Sequence, residues 1–288
     1  LAWLSYSPRA VGQNFPATYD LSALNGTTGF TIKGVDALDV SGISVSSAGD
    51  LNGDGLDDLI VGADAADPNG NNLAGESYVV FGQSSGFAAS LELADLDGTN
   101  GFALNGIDGF DFSGESVSSA GDINGDGIDD LIVGASSANP NGNRDAGESY
   151  VVFGQSSGFA ASLDLSDLDG SNGLVLNGID EYDFSGTSVS SAGDINGDGW
   201  DDLIIGADGA DPNGSSSGES YVVFGQSAGF AASLDLSDLD GSNGFVLNGI
   251  NADDLSGEPV SSAGDVNGDG VDDIIIGAPD ADPNGNEA

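Results

Sequence analysis

Asp50, Asn52 and Asp54 hold positions 1, 3 and 5 of the segment DLNGDGLDD, with Gly55 at position 6, Leu56 at 7 and Asp58 at 9. Oxygen side chains at alternate positions converge on one point when the backbone curls. Glycine permits the sharp turn, position 7 can offer its main-chain carbonyl, and position 9 can close the site. This is the chemistry of a hard cation. It points to Ca²⁺ over Zn²⁺ or Cu²⁺, because only oxygen donors are offered and the chain contains neither His nor Cys. Mg²⁺ is the weaker competitor, since it demands a smaller octahedron and keeps its water.

The segment returns three times. GDLNGDGLDDLIVGA begins at Gly49, GDINGDGIDDLIVGA at Gly121, GDINGDGWDDLIIGA at Gly193 and GDVNGDGVDDIIIGA at Gly264, at intervals of 72, 72 and 71 in a chain of 288 residues. The donor positions pass to Asp122, Asn124, Asp126, Ile128 and Asp130; to Asp194, Asn196, Asp198, Trp200 and Asp202; and to Asp265, Asn267, Asp269, Val271 and Asp273. One Ca²⁺ per repeat is expected. A plain acidic turn is the competing reading of any single loop, but four complete copies disfavour it, because three clustered carboxylates repel one another without a cation. An EF-hand is a poor match: it needs Glu at position 12, where Val61 stands inside an apolar run. A dockerin is also a poor match, since its loop opens a helix.

The charge fits this chemistry. Forty Asp and 8 Glu face only Arg9, Lys33 and Arg144, a formal charge of -45. That excess excludes nucleic acid and anionic membrane as direct partners. The bias to Asp suits turns and hard-cation loops, whereas Glu suits helices; a salt-adapted acidic surface is the competing account. Without cysteine there is no disulfide framework, and Ca²⁺ can serve as the cross-link outside the cell. No run approaches the roughly 18 to 20 apolar residues of a membrane span. Leu1-Ala2-Trp3-Leu4 is too short for a signal peptide and the first residue is not Met, so a processed or trimmed N-terminus is expected.

The loops must be held by strands. In the second repeat, Ser116 to Ala120 alternates small polar and apolar residues, and Leu131 to Ala135 is an apolar run suited to burial on both faces. After a turn rich in Asn, Pro and Gly, Ser149 to Gly154 forms a third strand and Gly173 to Gly178 a fourth; Leu163, Leu165 and Leu168 between them suggest a short strand or a single turn. Four short antiparallel strands per repeat predict an all-β chain of propeller blades. The phase gives 35–106, 107–178 and 179–250 as blades 1 to 3, with 251–288 as the inner strands of a fourth. LSALNGTTGFTIKG at Leu21 aligns with LADLDGTNGFALNG at Leu93, and Ser5-Tyr6 with Ser77-Tyr78, so residues 1–34 are outer strands that complete the last blade. Closure within one chain is the favoured outcome; completion of a neighbour's blade, giving a filament, is the other.

The ordered string of apolar strand, GD-x-NGDG-x-DD, LIVGA and GESYVVFG resembles the FG-GAP repeat of the integrin α-chain N-terminal propeller and its bacterial relatives. Phe112-Ser113-Gly114 and Phe184-Ser185-Gly186 approximate its first element. Gly277-Ala278-Pro279 is its second, with Gly62-Ala63-Asp64, Gly134-Ala135-Ser136 and Gly206-Ala207-Asp208 as variants. The resemblance implies one blade per repeat and calcium in the hairpin between the first two strands, on the residues named above. Such propellers commonly have seven blades, against four loops here.

An enzyme is the least supported class, since no Ser-His or Cys-His pair can exist and Lys33 has no repeated setting. Asp64, Asp67 and Glu76 flank a turn and form a second cation candidate, with the turn itself the favoured explanation because Ser136 and Asn139 replace the two Asp in the next repeat. The expectation is a calcium-stabilised extracellular or cell-surface structural and adhesion propeller, assembling into a surface layer or filament through self-association or with a cell-surface protein or glycan. A glycan-binding propeller is the alternative, with Trp3 and Trp200 as its only indole platforms. Asn25-Gly26-Thr27 and Asn213-Gly214-Ser215 fit the N-glycosylation triplet.

Overall fold

The computed structural model describes residues 17–18 and 20–282. Short β-branched and aromatic runs, cut by glycine-rich turns, give 18 strands among them. β1 (Thr31–Lys33) comes first. Blade 1 contains β2 (Val45–Gly49), β3 (Asp58–Ala63), β4 (Glu76–Val80) and, beyond the short β5 (Ser90–Glu92), β6 (Gly101–Asn105). Blade 2 repeats this with β7 (Ser116–Gly121), β8 (Asp130–Ala135), β9 (Glu148–Val152), the short β10 (Ser162–Asp164) and β11 (Gly173–Asn177). Blade 3 has β12 (Ser188–Gly193), β13 (Asp202–Ala207), β14 (Glu219–Val223), the short β15 (Ser233–Asp235) and β16 (Gly244–Asn248). β17 (Val260–Gly264) and β18 (Asp273–Ile276) pair as the start of a fourth sheet.

Within each of blades 1 to 3 four strands pair antiparallel in chain order, the arrangement of a β-propeller blade. The leucine-bearing connection is both a strand and a turn: Ser162–Asp164 is β10, and Leu165–Asp167 makes one turn of 3-10 helix. β10 leaves its own blade to pair parallel with β6 of the blade before, as β15 does with β11 and β5 with β1. The purely antiparallel expectation therefore gains a parallel stitch at each junction. β1 takes the place of a fourth strand in this pattern, in line with its alignment to β6. Ser5-Tyr6 and the final residues from Asn284, which bear on how the last blade is completed, lie outside the described residues, as does Trp3.

The core lies between blades. Leu131, Val133 and Ala135 face blade 1, packing with Ile60, Val79, Phe102 and Leu104, whereas Ile132 on the opposite face of β8 joins Leu203, Ile205 and Tyr221 of blade 3. Alternate residues of one strand thus serve two cores, which is why the run carries no polar alternation. The inner strands β2, β7, β12 and β17 follow in succession, and a serine hydroxyl spans each junction. Ser44 Oγ accepts from Val117 N at 3.1 Å, Ser116 Oγ from Val189 N at 3.0 Å and Ser188 Oγ from Val260 N at 3.0 Å. Pro259 holds the corresponding position in the fourth repeat and has no hydroxyl.

Glycines set how closely blades approach. A Cβ on Gly134 would lie 2.0 Å from the Gly186 carbonyl oxygen of blade 3, and one on Gly62 would lie 1.9 Å from Gly114 O of blade 2. Gly134→Ala must therefore push two backbones apart, and we expect a loss of about 3 kcal/mol. Urea unfolding measures it; wild-type stability in the variant would show that the seam does not depend on this contact.

Candidate metal centre

A β-bulge ends each first strand, shifting register at Ser47/Gly49, Ser119/Gly121, Ser191/Gly193 and Ser262/Gly264. The extra residue bends the chain and launches the acidic loop. Inside the first loop, Asp50 accepts from Asp54 N at 2.9 Å and from Gly55 N at 2.8 Å, one bond to each carboxylate oxygen. Asn52 Oδ1 accepts from Asp54 N at 2.9 Å, and Asp54 Oδ1 accepts from Leu56 N at 2.9 Å. These side-chain to backbone bonds curl the segment on itself. The same pattern forms around Asp122, Asp194 and Asp265, so positions 1, 3 and 5 come together in all four repeats.

Position 9 closes the loop from below. Asp58, Asp130 and Asp202 are fully buried. Their Oδ2 atoms accept from the position 2 amides of Leu51, Ile123 and Ile195, each at 3.1 Å. Their Oδ1 atoms accept from Gly82, Gly154 and Gly225 at 2.8, 2.9 and 2.9 Å. Those glycines follow the third strand, so one carboxylate fastens the loop to the far end of the Tyr-Val-Val-Phe-Gly run. Sequence reading named the aspartates and missed the glycines, although Phe-Gly recurs after every Tyr-Val-Val. Asn124 Nδ2 lies 3.2 Å from Asp130 Oδ1, which brings positions 3 and 9 into contact as well.

Burial raises these carboxylates. Asp130 is pushed up to about 8 by desolvation, against the pull of the Gly154 and Ile123 amides and with added repulsion from Asp126 and Asp122. Asp58 and Asp202 rise to about 6 for the same reasons. A buried carboxylate beside two others is the electrostatic situation a bound cation relieves. Among the described residues no group of three or more His, Cys, Asp or Glu side chains stands in a chelating arrangement. By type each loop offers three carboxylates, one amide and one main-chain carbonyl, a set of hard oxygens suited to Ca²⁺.

The other candidates have structural duties. Asp67 Oδ1 accepts from Leu73 N at 2.7 Å, and Asn139 and Asp211 make the same turn bond to Asp145 N and Ser216 N. Glu76 takes the Tyr78 hydroxyl, and a buried Asp64 oxygen has no partner. Asn213, itself exposed, donates its side-chain amide to Gly249 O at 2.7 Å, matched by Asn71 to Ile107 O and Asn143 to Ile179 O. Asn25 is exposed and accepts from the Thr27 and Thr28 amides. The Trp200 indole lies against loop 2, where a Cβ on Gly125 would fall 2.3 Å from its Nε1.

A family model described as the FG-GAP repeat matches residues 41–80, 113–152, 185–223 and 260–288. Integrin alpha-5 of Xenopus laevis is 30% identical over 202 residues, 66% of this chain and 17% of that protein. Integrin alpha pat-2 of Caenorhabditis elegans is 30% identical over 261 residues, 83% of this chain and 18% of its own length. Phosphatidylinositol-glycan-specific phospholipase D of Bos taurus is 34% identical over 168 residues, 58% of this chain and 18% of that protein. The chain thus spans less than a fifth of these relatives.

Buried acids in the loops preceding β7 and β12 share the upward shift: Asp111 reaches about 7 and Asp183 about 6, both chiefly through desolvation. Unfolding returns all five carboxylates to ordinary values near 3.8. Their contribution to stability is therefore complete below about pH 4 and is lost as pH rises through about 6 to 8. In excess chelator the melting temperature should fall across that window. Calorimetry at several pH values tests this, and a melting temperature that climbs from pH 4 to 8 would contradict it.

Proposed function

The chain belongs to the FG-GAP repeat family, and from that premise we propose that it is a non-enzymatic, calcium-stabilised adhesion module of the cell exterior. The observation that carries the reading is the repetition of one curled oxygen-donor loop in four blades, with a buried acid at position 9 in the first three. Side chains of Asp50, Asn52, Asp54 and Asp58 with the carbonyl of Leu56 would hold one Ca²⁺, and their counterparts in the other repeats would hold the rest. The ion would neutralise acids that otherwise repel, and it would tie the hairpin to the third strand.

Adhesion suits the surface left over. At -45 the chain repels its own copies, so contact with another acidic surface needs bridging cations or a basic partner. Assembly into a layer or filament, with residues 1–34 completing a last blade, belongs to the same proposal. No observation favours a glycan platform, because Trp200 is occupied against the neighbouring loop. Among the described residues no helix is long and apolar enough to cross a membrane.

Calorimetric titration should show one Ca²⁺ per loop. With free calcium a hundredfold above Kd, each site adds about 2.7 kcal/mol to stability, seen as a higher melting temperature than in chelator. Asp130→Asn should remove one ion from the stoichiometry. Identical melts with calcium and with chelator would sink the calcium reading. Retention on cells or on surface extracts in calcium, reversed by chelator, tests adhesion separately.

A further inference from the structure

Position 8 of each loop is a further aspartate, and in loops 2, 3 and 4 its side chain turns away from its own loop. Asp129 Oδ2 accepts from Asp50 N, in the loop of the preceding blade, at 2.7 Å. Asp201 Oδ2 accepts from Asp122 N at 2.9 Å, and Asp272 Oδ2 from Asp194 N at 3.1 Å. The amide in each bond belongs to position 1, whose carboxylate curls the loop. The following blade grips the loop at two more points. The Leu51 carbonyl accepts from Gln155 N at 3.0 Å and the Ile123 carbonyl from Gln226 N at 2.8 Å, while Leu51 and Ile123 are buried in the inter-blade cores.

The fourth loop supplies an internal contrast. A Cβ on Gly49, Gly121 or Gly193 would fall 2.3, 2.2 or 2.1 Å from the carboxylate oxygen of the next blade's aspartate, so side chain and backbone are pressed together at three junctions. Around Gly264 nothing among the described residues lies within 4 Å. Val266, the counterpart of Leu51, is 72% exposed, against 0% for Leu51.

We propose that Asp129, Asp201 and Asp272 are positioning residues for the ion site of the preceding repeat, so that each calcium loop is completed by the next blade. The inference rests on the calcium reading of these loops. The carboxylate fixes the peptide plane from which the first ligand projects, and it lends negative charge without spending an oxygen on the metal. Three sites are then two-blade sites. The fourth shows no clasp among the described residues. An ion in one loop also stiffens its junction to the next blade.

The test is a calcium titration of the whole chain followed by the amide resonances of the position 6 glycines, Gly55, Gly127, Gly199 and Gly270, which report loops 1 to 4 separately. Asp129→Asn removes charge but keeps an acceptor; Asp129→Ala removes both. Lost charge weakens loops 1 and 2 in either variant. The lost acceptor should weaken loop 1 about fivefold further in Asp129→Ala, leaving loop 2 where Asp129→Asn left it. Asp201→Ala against Asp201→Asn should move the extra loss to loop 2. Unchanged Gly199 behaviour in the Asp129 pair verifies folding, and the Asp201 pair answers the question if Asp129→Ala does not fold. Equal effects of Ala and Asn at loop 1, or an extra loss confined to loop 2, would overturn the clasp and leave the calcium reading standing. No calcium response at any glycine of the wild type would overturn both.

Discussion

A carboxylate with no exposed surface, set beside two more carboxylates, is the constraint on which this molecule is built. Asp130 cannot be hydrated, and its pair of backbone donors does not cancel the cost of its charge, as its upward shift to about 8 records. Two solutions are open to such a group: take up a proton or face a cation. The second is the one we propose for these loops. Asn124 and Asp126 curl over the same point, and the Gly154 and Ile123 amides hold the acid with lone pairs to spare. The hairpin and the exit of the third strand meet at this carboxylate.

Much of this was legible in the sequence. The donor spacing, the strand after it and the blade period are local patterns, and Leu131 to Ala135 reads as buried on both faces because no polar residue interrupts it. Sequence could not say what covers each face: Val133 and Ile132 are neighbours in the chain and belong to different cores. The same limit hid the role of the first Asp in three of the Asp-Asp pairs. Asp129 and Asp130 look like one acidic doublet, yet one closes its own loop while the other reaches a residue 79 positions away. The bond from the Asn213 amide to Gly249 O was hidden in the same way, since the glycosylation triplet is a local pattern and its partner lies 36 residues on.

Stability is therefore distributed over junctions more than over sheets. A blade taken alone would expose two apolar faces, lose its parallel stitch and leave its loop without the clasp. Nearest-neighbour interfaces of this kind make a repeat array approximately one-dimensional in its energetics. Weakening one loop loosens mainly the two blades that share it.

The serine hydroxyls point the same way at every junction: blade n accepts, through Ser44, Ser116 or Ser188, from the valine amide of blade n+1. The seam has a direction, and each unit carries both halves of it. Genetic duplication in whole steps of 72 residues therefore creates no surface that the chain does not already know how to cover, and deletion in whole steps leaves none bare. A single substitution has no such freedom, because the altered residue must fit a neighbour built from the same sequence. Exchange between copies would restore the match. AGESYVVFGQSSGFAASL stands unchanged in two successive repeats.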